Sequence, residues 1–71
     1  MTTLMWEAVA APGRADDLVA WALALGAGEV YRSEDGRVVI VAEGAGGLPE
    51  PPKGTCSRAP HAWTFERVVR S

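Results

Sequence analysis

Residues that carry chemistry are scarce in this chain of 71 residues, which has one cysteine, Cys56, and one histidine, His61. A single cysteine excludes an internal disulfide bond, and one Cys with one His leaves a zinc site without its remaining ligands. We therefore expect neither a metal nor a cofactor. A lone thiol is also typical of a reducing compartment.

Long apolar runs and basic clusters are lacking as well. No apolar run approaches the roughly 18 residues that span a bilayer, and the first residues, with Glu7 in their apolar run, lack the basic region of a signal peptide. Seven basic and nine acidic residues are scattered along the chain, which argues against nucleic acid as the main partner. We expect a soluble cytoplasmic protein. Six arginines against one lysine, with abundant Ala, Gly and Val, suggest a GC-rich bacterial genome.

The length predicts a single small domain over residues 1–71. A chain of this size buries only about 60% of the surface that its unfolded form exposes, so its stability is marginal without help. Disulfides, a structural metal or oligomerisation are the usual sources of that help. Since the first two are excluded above, oligomerisation is the expected one.

The first half of the chain predicts a strand and a helix. Residues 3–10, "TLMWEAVA", alternate between two faces, and Pro12 and Gly13 then end the strand. Residues 14–25 have helical periodicity, with Gly26 as the expected C-cap. The apolar stripe of this helix has the spacing i, i+3, i+4, i+7 and comprises Leu18, Trp21, Ala22 and Leu25.

A β-hairpin is expected over "EVYRSEDGRVVIVAE", with Asp35-Gly36 as a two-residue turn. In that register Glu34 faces Arg37 as a cross-strand ion pair. The further pairs of this register are Ser33 with Val38, Arg32 with Val39, Tyr31 with Ile40 and Val30 with Val41.

The second half begins with the Gly- and Pro-rich stretch "GAGGLPEPPKGTCSRAP", which is expected to form a loop or a short helix after Leu48. The stretch "AWTFERVV", residues 62–69, then predicts the last strand. The order β-α-β-β-(short α or loop)-β indicates an α+β protein with a four-stranded antiparallel sheet.

Both faces of the predicted sheet are apolar. The third strand carries Val38 and Ile40 on one side and Val39 and Val41 on the other, whereas a solvated face is normally polar. One helix covers one face, so a second cover is needed. We expect a homodimer that packs sheet face on sheet face; the alternative is that the Pro-rich stretch folds across the open side.

The order of elements resembles the ferredoxin-like fold, and within it the dimeric α+β barrel group that includes antibiotic biosynthesis monooxygenase-like proteins. The likeness lies in "WEAVAAPGRADDLVAWALALGAGEVYRSEDGRVVIV", Trp6 to Val41, about half of the chain. It implies sheets paired into a shared barrel. The group includes cofactor-independent oxygenases, haem-degrading enzymes and many small proteins without an assigned role.

Departures from the group limit what the resemblance carries over. The chain has no Asn, whereas the haem-degrading and quinone-forming members rely on one near the reactive centre, so no catalytic residue is assigned. Two other ferredoxin-like families fit less well. Metal-transport domains have Cys-x-x-Cys where this chain has "AAPG", and amino-acid-sensing domains have an apolar residue soon after the Gly, where this chain has "RADD".

The candidate ligand-binding residues are three aromatic side chains and the histidine. His61 has the chemistry of an acid, a base or a ligand, while a structural role as a loop cap is the plainer interpretation. An inert role is also the plainer interpretation for Cys56, because nothing near it in the sequence acts as a base. The complete candidate set is His61, Trp63, Trp6 and Tyr31.

Three function classes follow. The first is a small noncatalytic homodimeric protein that has an apolar small molecule as candidate ligand. The second is a cofactor-independent oxygenase or isomerase acting on a flat aromatic substrate in the cavity between sheet and helix, with the four candidate residues as its lining. The third is metal or thiol chemistry at Cys56 and His61, for which the spacing of the two residues is a weak signal.

Overall fold

The computed structural model describes residues 2–44 and 46–69. Within them the chain forms an antiparallel sheet of four strands in the order β2-β3-β1-β4, with one helix. This α+β arrangement is compatible with the predicted ferredoxin-like fold. The elements are β1 (Thr2–Val9), α1 (Ala15–Leu25), β2 (Glu29–Arg32), β3 (Arg37–Glu43) and β4 (His61–Glu66).

The element boundaries differ from the predicted ones by one to three residues. The first strand ends at Val9, because Ala10 makes only an isolated bridge to Cys56. The last strand starts one residue earlier than predicted and ends at Glu66. Helix α1 ends as predicted, since Gly26 adopts the left-handed conformation with φ 61° and its amide donates to the Leu23 carbonyl.

The core lies between α1 and one face of the sheet. The predicted helix stripe faces it, with Leu18 and Ala22 buried and Trp21 and Leu25 partly buried. Even-numbered strand residues supply the other side, because side chains alternate between the faces of a strand. The buried strand residues are Leu4, Trp6, Ala8, Val38, Ile40 and Ala42.

The predicted hairpin register is wrong by one residue. Tyr31 lies opposite Val39 and Val30 lies opposite Ile40. A two-residue type I′ turn needs positive φ at both central residues, but Gly36 alone has it, at 87°, and Asp35 does not. The turn therefore takes three residues, 34–36.

Hydrogen bonds of Ser33 close this longer turn. The Ser33 amide donates to the Arg37 carbonyl at 2.9 Å, and the Gly36 amide donates to the Ser33 carbonyl at 3.2 Å. The Ser33 hydroxyl accepts the Arg37 amide at 3.0 Å and also bonds the Asp35 carboxylate. The shift matters because a slip of one residue moves every side chain of β2 to the opposite face.

A loop and a short helix were the two predicted alternatives for the Gly- and Pro-rich stretch. The structure has the loop, and the described residues of the stretch contain no helix. It runs beside the end of β1, where the Ala11 amide donates to the Thr55 carbonyl at 2.8 Å. Thr55 is fully buried and its hydroxyl donates to the Pro52 carbonyl at 2.6 Å. Leu48 packs against the core on the helix side. The stretch therefore adds to the covered side of the sheet.

Helix α1 lies over β2 and β3 and reaches β1 through Trp21, which packs on Trp6. Every residue of β4 is exposed. In the part of the chain that the structure describes, no helix has both the length and the apolar character required to cross a membrane.

Candidate functional site

The face of the sheet opposite α1 carries the odd-numbered strand residues, and we call it the open face. Its strands are aligned so that Tyr31, Val39, Glu7 and His61 form one row across the sheet. The neighbouring row contains Glu29, Val41, Met5 and Trp63, and Thr3 and Phe65 form the beginning of a third.

The part of the open face formed by β1 and β4 is apolar and exposed. Met5 lies directly opposite Trp63, and their side chains are 38% and 49% exposed. Phe65, one row further, is 50% exposed. Contiguous large apolar side chains on a surface mark an interaction site more reliably than scattered ones. The open face is thus the main candidate surface of the molecule.

His61 lies at the start of β4, on the open face. Its ring stacks on Trp63 with a centroid distance of 5.9 Å and an interplanar angle of 13°. Its cross-strand neighbour is Glu7, whose carboxylate binds Arg37 at 3.1 Å. General acid–base chemistry needs a group that orients the imidazole, and the carboxylate opposite His61 is engaged by arginine instead.

Tyr31 lies on the open face at the β2 edge and is 53% exposed. Its hydroxyl donates to Glu29 Oε1 at 3.1 Å. This hydrogen bond, with the negative charge of Glu29, raises the pKa of the Tyr31 phenol above its usual value. The phenol is therefore a neutral donor rather than a nucleophile.

Trp6 lies on the other face of the sheet, away from the three remaining candidates. It is 4% exposed, and its ring centroid is 5.4 Å from that of Trp21. The sheet separates it from His61, Trp63 and Tyr31, so the four predicted residues do not line one cavity. Trp6 fills the space between sheet and helix.

A surface pocket of about 250 Å³ lies within the Gly- and Pro-rich stretch. Cys56 is at its wall with Lys53 and Arg58, and none of the four candidate residues lines it. Its volume is below the roughly 300–1,000 Å³ typical of small-molecule sites. Among the described residues, no group of three or more His, Cys, Asp or Glu side chains is arranged to hold a metal ion.

The candidate ligand-binding residues did not include Met5, Val41 or Phe65, although the alternation of the strands had predicted a second apolar face. Their odd-numbered positions were visible in the sequence, but the pairing of β1 with both β3 and β4 was needed to place them side by side. The engagement of Glu7 by Arg37 was also missed, because the predicted hairpin paired Arg37 with Glu34.

Comparison of the chain with models of protein families, with curated proteins and with solved structures gave no match.

Proposed function

We propose that this protein is a small noncatalytic homodimer of the ferredoxin-like type, whose subunits pair through the open faces of their sheets as in dimeric α+β barrel proteins. One observation carries the proposal, the exposure of adjacent large apolar side chains on β1 and the edge strand β4 of that face: Met5, Trp63 and Phe65. Aromatic residues and methionine are enriched in protein interfaces.

The described chain offers no cover of its own for this face. Helix α1 and Leu48 both pack on the opposite side of the sheet, which removes support from the alternative that the Pro-rich stretch folds across it. A second copy supplies an identical apolar face, and two such faces bury each other around a two-fold axis.

The exposed area supports pairing as well. The chain exposes 4984 Å², whereas a compact monomer of 7.5 kDa exposes roughly 4,250 Å². The excess is roughly 700 Å², of the order of the roughly 800 Å² that each partner buries in a standard interface, and the exposed Val68 and Val69 after β4 account for part of it.

An apolar small molecule enclosed between the paired open faces is the ligand we propose, because the stacked His61 and Trp63 rings offer an aromatic surface there. The noncatalytic part of the proposal is supported by Glu7, which binds Arg37 rather than orienting His61. Oxygen consumption on mixing the protein with a polycyclic hydroquinone would contradict that part and favour the cofactor-independent oxygenase.

Sedimentation equilibrium of wild-type protein and Met5→Lys tests the pairing. Met5 lies at the centre of the open face with its side chain accessible, so a lysine there buries an unpaired charge in the dimer while it remains solvated in the isolated subunit. We expect the wild type to sediment above the 7.5 kDa of one chain and Met5→Lys to have half the mass of the wild type.

The matched control is Leu23→Lys, an apolar residue of α1 that is 63% exposed on the other side of the molecule. We expect its mass to equal that of the wild type. A wild-type mass of one chain at high concentration, with circular dichroism showing a folded protein, would refute the proposal. Equal masses of Met5→Lys and the wild type would also do so.

A further inference from the structure

The two edges of the sheet differ in how well they are protected. Strand β2 has four residues, and its Arg32 is tied to Asp16 of α1 at 2.7 Å. Strand β4 has six residues, all of them exposed, and it contains neither proline nor lysine. Natural sheets protect their edges with short strands, lysine or proline, and an unprotected edge pairs with another strand.

Backbone hydrogen bonds of the first strand alternate between its two neighbours. The Ala10 amide donates to the Gly36 carbonyl at 2.9 Å on the β3 side, whereas the Val9 carbonyl accepts from the Ser57 amide at 2.9 Å on the β4 side. In an antiparallel strand the N–H and C=O of one residue point the same way, and the direction alternates along the chain. Odd-numbered residues of β1 therefore bond to β4.

The same alternation shows which backbone N–H and C=O groups of β4 point toward β1 and which point toward the free edge. Met5 lies opposite Trp63, so Trp63 and the other odd-numbered residues of β4 use their N–H and C=O groups on β1. The backbone groups of the even-numbered residues point toward the free edge. These residues are Ala62, Thr64 and Glu66.

We propose that β4 pairs antiparallel with β4 of a second copy, with the two-fold axis at Thr64. In this register Thr64 faces the partner's Thr64, and Ala62 and the partner's Glu66 exchange both of their backbone hydrogen bonds. Trp63 then lies beside the partner's Phe65 in a closely spaced, non-hydrogen-bonded pair, the position in which cross-strand aromatic contacts are strongest.

Other registers make a poorer ladder. An axis at Trp63 sets Glu66 opposite the partner's Pro60, which has no N–H to donate. A two-fold axis that passes between two residues of β4 places even-numbered residues opposite odd-numbered residues of the partner. The backbone N–H and C=O groups of those odd-numbered residues already bond to β1. Only the axis at Thr64 gives hydrogen-bonded partners within β4 to all three residues whose backbone groups point toward the free edge.

Edge pairing is independent of pairing through the open face. It joins two sheets into one of eight strands and leaves the open faces of both copies uncovered on the same side. Two such double sheets then pack through their open faces, which gives an assembly of four chains. The inference thus extends the proposed function to a second interface and survives if the first one fails.

Disulfide cross-linking tests the register. In a Cys56→Ser background, which removes the one native thiol, Thr64→Cys brings two equivalent Cα atoms to about 5.5 Å across the axis, within disulfide range. The control Ala62→Cys lies on the same strand and face and is also exposed, but the four-residue stagger separates its two copies by about 14 Å.

We expect Thr64→Cys to form a covalent dimer at least about tenfold faster than Ala62→Cys under mild oxidation. Thr64 points to the helix side of the sheet, so open-face pairing does not bring its two copies together. Equal rates for the two variants would overturn the inference.

Sedimentation of Thr64→Pro separates the two interfaces. The backbone N–H of Thr64 does not donate to β1, so a proline at this position removes a hydrogen-bond donor from the free edge only. We expect a wild-type mass near four times 7.5 kDa, and half of that mass for Thr64→Pro, with unchanged circular dichroism.

If Thr64→Pro keeps the wild-type mass, edge pairing is refuted whatever the open face does. If Thr64→Pro halves the mass and Met5→Lys leaves it unchanged, the edge interface stands and the proposed open-face pairing fails.

Discussion

The two tryptophans of the sheet show how position alone decides the role of a residue. Trp6 and Trp63 lie on neighbouring strands, in adjacent rows. Trp6 is 4% exposed and packs on Trp21, whereas Trp63 is 49% exposed beside Met5. The even-numbered Trp6 of β1 enters the core, and the odd-numbered Trp63 of β4 remains on the open face. Only the latter is accessible to a partner or ligand.

Tyr31 provides a prediction at this scale, because it is the one tyrosine of the chain and phenolate absorbance therefore reports on it alone. We expect its titration midpoint to lie above the usual 10.0 and to fall in Glu29→Gln, which loses the charge that opposes ionisation. Glu50→Gln, a charge change in the Pro-rich stretch, serves as the control with an unchanged midpoint.

The raised pKa also gives the sign of a stability effect. The folded protein holds the phenol proton more tightly than the unfolded chain does, so the stabilisation is fully present below pH 10.0 and is lost as the pH rises through the folded-state pKa. A midpoint at or below 10.0 in the wild type would mean that the hydrogen bond to Glu29 does not persist in solution.

Among the elements, α1 covers three of the four strands and leaves β4 uncovered. It lies over β2 and β3 and packs Trp21 on Trp6 of β1, and its buried residues are Leu18 and Ala22. The opposite side of the helix, including Leu23, is exposed. Most of the free energy that the helix contributes therefore comes from a narrow stripe of side chains.

Leu18→Ala is expected to lower the free energy of unfolding by about 2–5 kcal/mol, since it removes a fully buried side chain and leaves a cavity. Leu23→Ala makes the same chemical change at a site that is 63% exposed, and we expect an effect within about 0.5 kcal/mol. Urea unfolding followed by circular dichroism measures both values. Similar losses in the two variants would contradict the described orientation of α1.

At the scale of the whole molecule, one copy is elongated and incompletely covered. Its principal extents are 45 × 22 × 19 Å, with one face of the sheet and the whole of β4 exposed. A domain of this size has little stability to spare. Association therefore contributes to folding as well as to function in the proposed assembly.

Concentration dependence of thermal unfolding follows from this coupling. We expect the Tm of the wild type to rise by about 3–5 °C for a tenfold increase in protein concentration, because mass action stabilises the associated state. The double variant Met5→Lys with Thr64→Pro, which lacks both proposed contacts, is expected to show a Tm independent of concentration. A wild-type Tm that does not change with concentration would contradict association through either surface.

The candidate site was predictable in part. Alternation along β1 and β3 separated Met5 and Val41 from Trp6 and Ile40, and the structure keeps these sets on opposite faces. The grouping of Trp6 with His61, Trp63 and Tyr31 rests on residue type, which does not distinguish the two faces of a sheet.

The sequence by itself determined the local features, namely the helix stripe, the Gly26 cap and the two apolar sets of each strand, because these depend on residues close together in the chain. Tertiary structure decided the three-residue turn at Gly36, the face that α1 covers and the course of the Pro-rich stretch. The turn is closed by hydrogen bonds of Ser33 that residue propensities did not predict. The other two features depend on contacts between distant segments, such as Thr55 with Ala11, which a local sequence pattern does not contain.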